Sequence, residues 1–541
     1  MSIKFEKIKS VNRLFLDFIN NFGNVKKYYN LNFKDKESYA EVFNKITNQT
    51  HFKKDELTAI IKNQYSSFPF SEKTSNNIKK LKEKNTIAVI TGQQLGIMSG
   101  PLYTIYKILT AIKLSEQLSE EFTDFNFVPI FWMAGDDHDF EEISYVNIID
   151  KNNKVKKFSY EDGKPVETNR GSVGNLKFKE SIKNFKNELE ENLRETEFND
   201  ELFELMNLAL NDNLTIAESF IKIIFHIFDE TGLVIFNPQD TEVKKLMLPI
   251  FKKELLQFRT HNNDLLEVSA DLDENYHAQV KLKPINLFLS NKTGRHLIEP
   301  EEQGFRLKGK RKTISKEEIL QHLETNPEDF SANVLLRPIC EEYLFPTGFY
   351  ISGPGEISYY AQVMPLYKHF DLQQPFIYPR ASATILESNI AKAIDKYNLD
   401  NVDVLQNFDD LKSLLIKTIS EDDLENKFNN INNQFTELLD SLNTTLSKVN
   451  KDLEGITDSA KEKILHQVNV LKNKTDKMYE QKYEISLRQI EKAHTVLYPN
   501  NNLQERELTF INFVNKYGFD FFDWLYQELE INNFEHQILE I

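Results

Sequence analysis

Residues 86–107 read TIAVITGQQLGIMSGPLYTIYK, and residues 127–142 read FVPIFWMAGDDHDFEE. Thr86–Ile90 is a short apolar, β-rich run that Thr91-Gly92 closes. Pro101 follows Gly100 and suits the first position of a helix, where its missing N–H costs nothing. Leu102, Ile105, Leu109 and Ile112 then recur at helical spacing. Phe127–Met133 is a second buried apolar run. Strand, helix and strand in that order form a βαβ unit, and its two strands lie parallel.

The same texture returns downstream. Leu233–Phe236 reads as a buried strand ending at Asn237-Pro238. Phe349–Ile351 reads as a strand closed by Gly353-Pro354-Gly355, with a helix beginning near Glu356, and Phe376–Tyr378 reads as a strand ending at Pro379-Arg380. The expected fold is therefore α/β, a Rossmann-like parallel-sheet core with inserted connecting segments. The core is expected over residues 1–390, with insertions at about 151–230 and 270–335. From about Asp422, the residues Leu424, Phe428, Ile431, Phe435, Leu438 and Leu442 alternate by four and three, a heptad seam. Leu446, Val449 and Leu453 continue it, Gly455 breaks it, and Ala460, Ile464, Val468 and Leu471 start a second amphipathic helix. This predicts an α-helical coiled-coil domain over 391–500, built on an antiparallel hairpin. A last segment, 501–541, is expected to pack back on the core through its aromatic residues.

The chain has 541 residues, too many for one ordinary core. A formal net charge of -17 argues against nucleic acid and anionic lipid as partners. The one cysteine, Cys340, rules out an intrachain disulfide and a cysteine-rich metal site, and it suits a reducing, cytoplasmic setting. No apolar run approaches membrane length, and Met1–Phe22 lacks the uninterrupted apolar stretch of a signal peptide.

Three strand ends carry chemistry. In open α/β sheets ligands bind beyond the carboxyl ends of the strands, where helix N-termini favour anions. The turn holding Thr91, Gly92, Gln93, Gln94 and Gly100, with Tyr103 in the following helix, is one such end, although its spacing is neither a dinucleotide fingerprint nor a Walker A loop. The second is Asp136-Asp137-His138-Asp139 with Glu141 and Glu142. Crowded like charges there call for a cation, a donor network or a substrate ammonium, and a histidine accepts protons near neutral pH. Oxygen donors of this kind also suit magnesium, so a dedicated metal site is an alternative here, with no ligand set assigned. The third joins Gly353, Gly355, Glu356 and Tyr359, with Arg337 upstream and Arg380 and Ser382 downstream; arginine binds carboxylate and phosphate bidentately. Each has a plain structural alternative: a tight turn, a first-turn acid or a buried ion pair. Lys312–Lys316 superficially matches the KMSKS loop of adenylate-forming synthetases, but Ser315 with Glu318 makes a capping box that explains those residues.

Taken in order, TGQQ-x-G at Thr91, GPLYTIYK at Gly100, DDHDFEE at Asp136, NVLLRP at Asn333, GPGEISYYAQ at Gly353, PRASAT at Pro379 and LQER at Leu503 resemble the BshC family over nearly the whole chain. The resemblance implies a Rossmann-like core, a coiled-coil domain and a homodimer. It implies a cysteine ligase that joins the carboxyl group of cysteine to the amine of glucosaminyl-malate, forming bacillithiol. Likeness to nucleotidyl-transferring synthetases implies ATP, with Mg2+ accompanying it, although none of the 11 histidines sits in an HxGH motif. On this reading His138 accepts a proton, oriented by Asp137 or Asp139. The glycine turn holds phosphate or the malate carboxylates, Arg337 and Arg380 bind carboxylates, and Glu356 and the nearby acids bind the cysteine ammonium. A nucleotide-binding transferase of another pathway and a non-catalytic coiled-coil scaffold are the competing expectations.

Overall fold

A computed structural model describes residues 1–541 except 10, 67, 421–423 and 451, with the side chains of 452–454 also outside the description. The chain divides into two compact units, Met1–Thr384 with Gln504–Leu539, and Ile385–Leu503 with Glu540–Ile541.

The first unit is organised by five strands: β1 (Thr86–Gln93), β2 (Asn126–Met133), β3 (Val234–Phe236), β4 (Thr347–Ser352) and β5 (Phe376–Pro379). Their order is β5-β4-β1-β2-β3, and every neighbouring pair is parallel. Ile87, Ala88, Val89 and Ile90 are all buried, so both faces of β1 are covered and its apolar residues run on without alternation. Helix α1 (Tyr103–Glu121) links β1 to β2, α2 (Thr241–Asn275) follows β3, α3 (Arg337–Leu344) precedes β4, and α4 (Pro354–Phe370) links β4 to β5. The chain works outward from β1 to β3 on one side, then from β4 to β5 on the other. The strand order therefore reverses between β1 and β4, and a crevice opens beyond their carboxyl ends.

Two details differ from the reading of the sequence. Strand β1 does not end at Thr91-Gly92: it continues to Gln93, with Gly92 opposite Trp132 and Gln93 opposite Met133. Helix α1 starts at Tyr103 rather than Pro101. A tight turn at Ile97–Ser99, left-handed at Met98 (φ 51°) and Ser99 (φ 65°) and followed by Gly100 (φ 70°), delivers the chain there. The Leu102 N–H bonds outside the helix, to the Leu508 carbonyl.

Between β2 and β3 lie an antiparallel pair (Tyr145–Ile149 with Val155–Ser159) and the helices Ser181–Asn192, Asn199–Ala209 and Ile216–Phe228. Between α2 and α3 lies an antiparallel sheet that includes Leu287–Asn291, Gly294–Glu301, Gly304–Leu307 and Phe330–Ala332. Glu254 of α2 fixes where that sheet departs: fully buried, it accepts from both the N–H and the side-chain amide of Asn286 at 2.9 Å. The Ser315–Glu318 capping box forms and starts the helix Lys316–Thr325, so the KMSKS-like residues are a helix start. Residues Gln504–Leu539 return to this unit. Lys113 donates to the Tyr526 and Leu529 carbonyls, and Asn512 accepts from the Ile149 N–H.

In the second unit the helices Leu424–Leu446 and Asp452–Lys482 run antiparallel, tied by Lys461 to Asp440 and by Asn443 to Asp458. The second helix passes straight through Gly455, so the break precedes it. Asp422 and the side chain of Leu453 lie outside the described residues. The heptad seam is not buried within the chain. Leu438 is 66% and Leu442 47% exposed, and Ile431, Phe435 and Val449 are exposed with them. The less exposed row is Leu424, Phe428, Leu439 and Leu446. One neighbouring helix can cover only one stripe, and the covered row shares Leu424, Phe428 and Leu446 with the predicted seam but passes beside it between them, through Leu439.

Gly348 in β4 has no room for a side chain: a Cβ would stand 2.4 Å from Ile87 Cγ2 and 3.2 Å from a Phe43 ring carbon. Gly348→Val is expected to lower stability by about 1–3 kcal/mol through overpacking. Gly355→Ala, whose Cβ would meet nothing within 4 Å, should change it by less than about 0.5 kcal/mol. Urea unfolding of the two variants checks this; equal midpoints would refute the steric argument.

Candidate functional site

The crevice between β1 and β4 widens into a cavity of about 580 Å³, all of it within the first unit. At its floor lies Lys107, on the second turn of α1. It is 2% exposed, and its ammonium donates to the Gly92 carbonyl at 2.8 Å and to Gln93 Oε1 at 2.9 Å, and pairs with Glu356 Oε2. Glu356 is placed by its own helix start, where its carboxylate accepts the Gly353 N–H at 2.9 Å. The ion pair thus bridges the helix that follows β1 and the helix that follows β4. Burial pulls the Lys107 pKa down, and the Glu356 carboxylate opposes it.

Around this pair the structure gathers Gly92, Gln93, Gln94, Tyr103, Arg337, Gly353, Gly355, Tyr359 and Arg380 on the cavity wall. Gly92 packs closely: a Cβ would stand 3.1 Å from the Trp132 carbonyl oxygen. Burial pushes the Tyr103 phenol up to about 12. Arg337 donates to the Tyr359 hydroxyl, and its Nε lies 3.3 Å from Glu341. Glu341 is fully buried and its carboxylate makes no hydrogen bond, so burial raises its pKa; Arg337 and Lys107 offset only part of that effect. Arg380 donates to Glu505 at 2.6 Å and to the Ala381 carbonyl. Cys340, on α3, also reaches this wall and is 1% exposed, and burial raises its thiol pKa far above the usual range.

Beyond β2 stand Asp136, Asp137 and His138. Asp136 is ion-paired with buried Lys244 at 2.5 Å. Asp137 accepts from the His138 N–H at 2.7 Å and from the Gln94 amide at 2.5 Å. Burial disfavours its charge, yet the hydrogen bonds from His138 and Gln94, with Arg295 nearby, hold it well below the usual carboxylate range. The His138 ring is 48% exposed, with Nδ1 3.3 Å from Asp137 Oδ1 and 3.2 Å from Arg295 Nη1.

Five residues singled out in the sequence stand off the cavity wall, Glu141 among them. Thr91 is buried within β1 and donates to the Ile351 carbonyl at 3.2 Å, tying β1 to β4. Gly100 belongs to the turn behind the wall. Asp139 caps the short helix Phe140–Ile143, accepting the Glu142 N–H at 3.1 Å, so Asp137 rather than Asp139 stands beside the imidazole. Ser382 is buried between Glu505 Oε2 at 2.9 Å and His536 Nδ1 at 2.8 Å.

The sequence reading missed Lys107, Lys244 and Arg295. Lys107 had a signal: it sits between Ile105-Tyr106 and Ile108-Leu109, where a lysine has no solvent face to reach. Arg295 had none, because its neighbours come from distant parts of the chain.

The family models match in two blocks. "Bacillithiol biosynthesis BshC, N-terminal Rossmann-like domain" covers residues 1–381, and "Bacillithiol biosynthesis BshC, C-terminal coiled-coil domain" covers 383–541. Among curated relatives, one from Salinibacter ruber is 32% identical over 530 residues, 98% of this chain and 96% of its own. One from Chloroherpeton thalassium is 31% identical over 535 residues, 95% of each chain. One from Natranaerobius thermophilus is 29% identical over 512 residues, 93% of each chain. All three carry the name "Putative cysteine ligase BshC".

Removing Lys107 strands the half-buried Glu356 and leaves the Gly92 carbonyl without its donor. Lys107→Met is therefore expected to cost about 3–5 kcal/mol, read from the urea midpoint, and more than Lys107→Arg, which keeps the charge. A methionine variant as stable as the parent would remove Lys107 as the link across the crevice.

Proposed function

We infer the reaction from one premise: the chain belongs to the BshC family of bacillithiol biosynthesis, and it is a ligase. We propose that it joins the carboxyl group of cysteine to the amine of glucosaminyl-malate in the cytoplasm. The observation that carries this reading is the meeting of a histidine–carboxylate pair, His138 with Asp137, and the pair of buried Lys107 with half-buried Glu356, around one cavity.

Amide formation needs an amine with a free lone pair and a carboxyl group with a leaving group. In the proposed roles Asp137 takes the Nδ1–H of His138, and Nε2 then accepts the proton that the attacking amine loses. Glu142 and Glu356 offer negative charge to the cysteine ammonium. Arg337 and the backbone at Gly92–Gln94 and Gly353–Gly355 hold anionic groups. Arg380 already faces Glu505, so its part is to fix the wall rather than to meet a free carboxylate. Ser382 acts through the same network.

ATP fits the donor set. Lys281, Lys283 and Arg506 line the cavity with no acid within ion-pair distance among the described residues, and Trp132, Met247 and Phe251 give it an apolar side. Bound there, ATP supplies the leaving group that a carboxylate lacks. Magnesium is proposed only with the nucleotide, because it takes one or two carboxylates and keeps its other ligands from phosphate and water. Among the described residues no group of three metal-binding side chains forms.

We also propose a homodimer. The exposed stripe Ile431, Phe435, Leu438 and Leu442 keeps heptad spacing, and such a stripe is satisfied by another helix. No helix among the described residues is long and apolar enough to cross a membrane.

The reaction is tested by incubating the protein with cysteine, glucosaminyl-malate, ATP and magnesium, with mass spectrometry for the thiol product and for AMP or ADP. His138→Ala and His138→Gln should each lower turnover by about a hundredfold to ten-thousandfold with unchanged circular dichroism; near-native turnover in both would remove His138 as the base. Leu438→Glu with Leu442→Glu should shift the mass in solution from dimer to monomer, and an unshifted dimer would place the interface elsewhere.

A further inference from the structure

The balance of charge around the cavity is uneven. Lys107 faces Glu356, Lys244 faces Asp136, Arg337 faces Glu341 and Arg380 faces Glu505. Arg295 lines the same cavity and is 5% exposed, yet among the described residues no carboxylate lies within ion-pair distance of it. Asp136 and Asp137 act on it only from beyond contact, and burial still pulls its pKa down; a buried guanidinium with no carboxylate in contact is costly unless a bound group supplies the negative charge.

The guanidinium is nevertheless held in place. Its Nε donates to Ser331 Oγ at 2.8 Å and its Nη2 to the Ala332 carbonyl at 3.0 Å, and it lies 3.7 Å over the Phe288 ring. The Arg295 backbone is clasped by the Asn169 amide through two hydrogen bonds of 3.0 and 2.8 Å. Of the five N–H groups of an arginine, these contacts and the one to His138 use three, leaving one on each terminal nitrogen. Two parallel N–H groups are what a carboxylate or phosphate accepts.

The remaining contact has a chemical consequence. Arginine only donates, so at 3.2 Å it requires a lone pair on His138 Nδ1 and places the ring proton on Nε2. In that tautomer Nε2 cannot take a proton. Asp137 Oδ1, 3.3 Å from the same Nδ1, only accepts and requires the opposite tautomer.

We propose that Arg295 is the receptor for a carboxylate or phosphate group of the substrates, and that an anion bound there takes over the Nη1 hydrogen bond from Nδ1 while Ser331 and Ala332 keep the guanidinium seated, leaving His138 to donate to Asp137 and freeing Nε2 as the base. The inference rests on the ligand role given to the cavity above. It makes His138 a base only when an anionic substrate is seated, which prevents idle proton transfer. The anion comes either from a carboxylate-bearing substrate or from a nucleotide phosphate, and both offer the same acceptor oxygens.

The test uses the full-length protein with 15N-labelled histidine, His138 being assigned by difference from His138→Gln. L-malate and inorganic phosphate serve as probes in separate titrations. The expected result is that one or both move His138 from the Nε2–H to the Nδ1–H form. Arg295→Gln should weaken that probe's binding about tenfold or more, with Arg295→Lys in between. A response to malate alone assigns a carboxylate, and a response to phosphate alone a phosphoryl group. No tautomer change with either probe overturns the proposal on the parent protein, even if Arg295→Gln does not fold. Product formation on the same samples separates the two readings. Product from the parent with unchanged KM values for the sugar amine, cysteine and ATP in Arg295→Gln overturns the receptor and leaves the ligase. An anion-driven tautomer change in a parent that makes no product removes the ligase and leaves the receptor.

Discussion

One ammonium holds the working end of this fold together. The strand order reverses between β1 and β4, and among the described residues no helix joins the end of one to the start of the other. Lys107 spans the crevice between them, reaching from α1 to the Gly92 carbonyl and the Gln93 side-chain oxygen at the end of β1 and to the carboxylate that starts α4. Thr91 adds a second link to the Ile351 carbonyl beneath it. The walls of the cavity keep their spacing because Lys107 and Thr91 are buried, so that their hydrogen bonds are little exposed to competition from water. Arg337 and Glu341 extend the same network down α3, where a carboxylate without hydrogen bonds is kept from ionising fully by its burial.

The two insertions have different parts. The antiparallel sheet after α2 brings Arg295 to the cavity, and the segment before Gly171 brings Asn169 to hold it. Neither belongs to the parallel core, yet the electrostatics of His138 depend on both. A Cβ at Gly294 would stand 2.2 Å from Asn169 Oδ1, so the absence of a side chain at that position is what lets the two insertions touch.

Much of this was legible in the sequence because apolar runs and helical spacing are local properties. The five parallel strands, the helices after β1 and β4, and the gathering of Gln93, His138 and Glu356 follow from such patterns and from the rule for strand ends. What escaped was non-local or directional. Asp139 and Asp137 flank the same histidine equally in the sequence, but only the backbone decides that Asp139 caps a helix. Arg295 is 157 positions from His138, and Arg380 is 125 from Glu505, so neither partnership has a local signature. The heptad seam was readable as a pattern, but a pattern does not say which of two adjacent stripes the neighbouring helix will cover.

Cys340 shows what the burial beside this cavity does to sulfur. Disulfide exchange proceeds through the thiolate, and a thiol whose pKa is raised this far supplies almost none at neutral pH. A protein proposed to take up one small thiol and release another therefore carries its single cysteine as an inert apolar group. Its substrates and product can accumulate around it, oxidised or reduced, without forming a mixed disulfide with the enzyme, and the α3 helix keeps its shape whatever the redox state of the thiol pool.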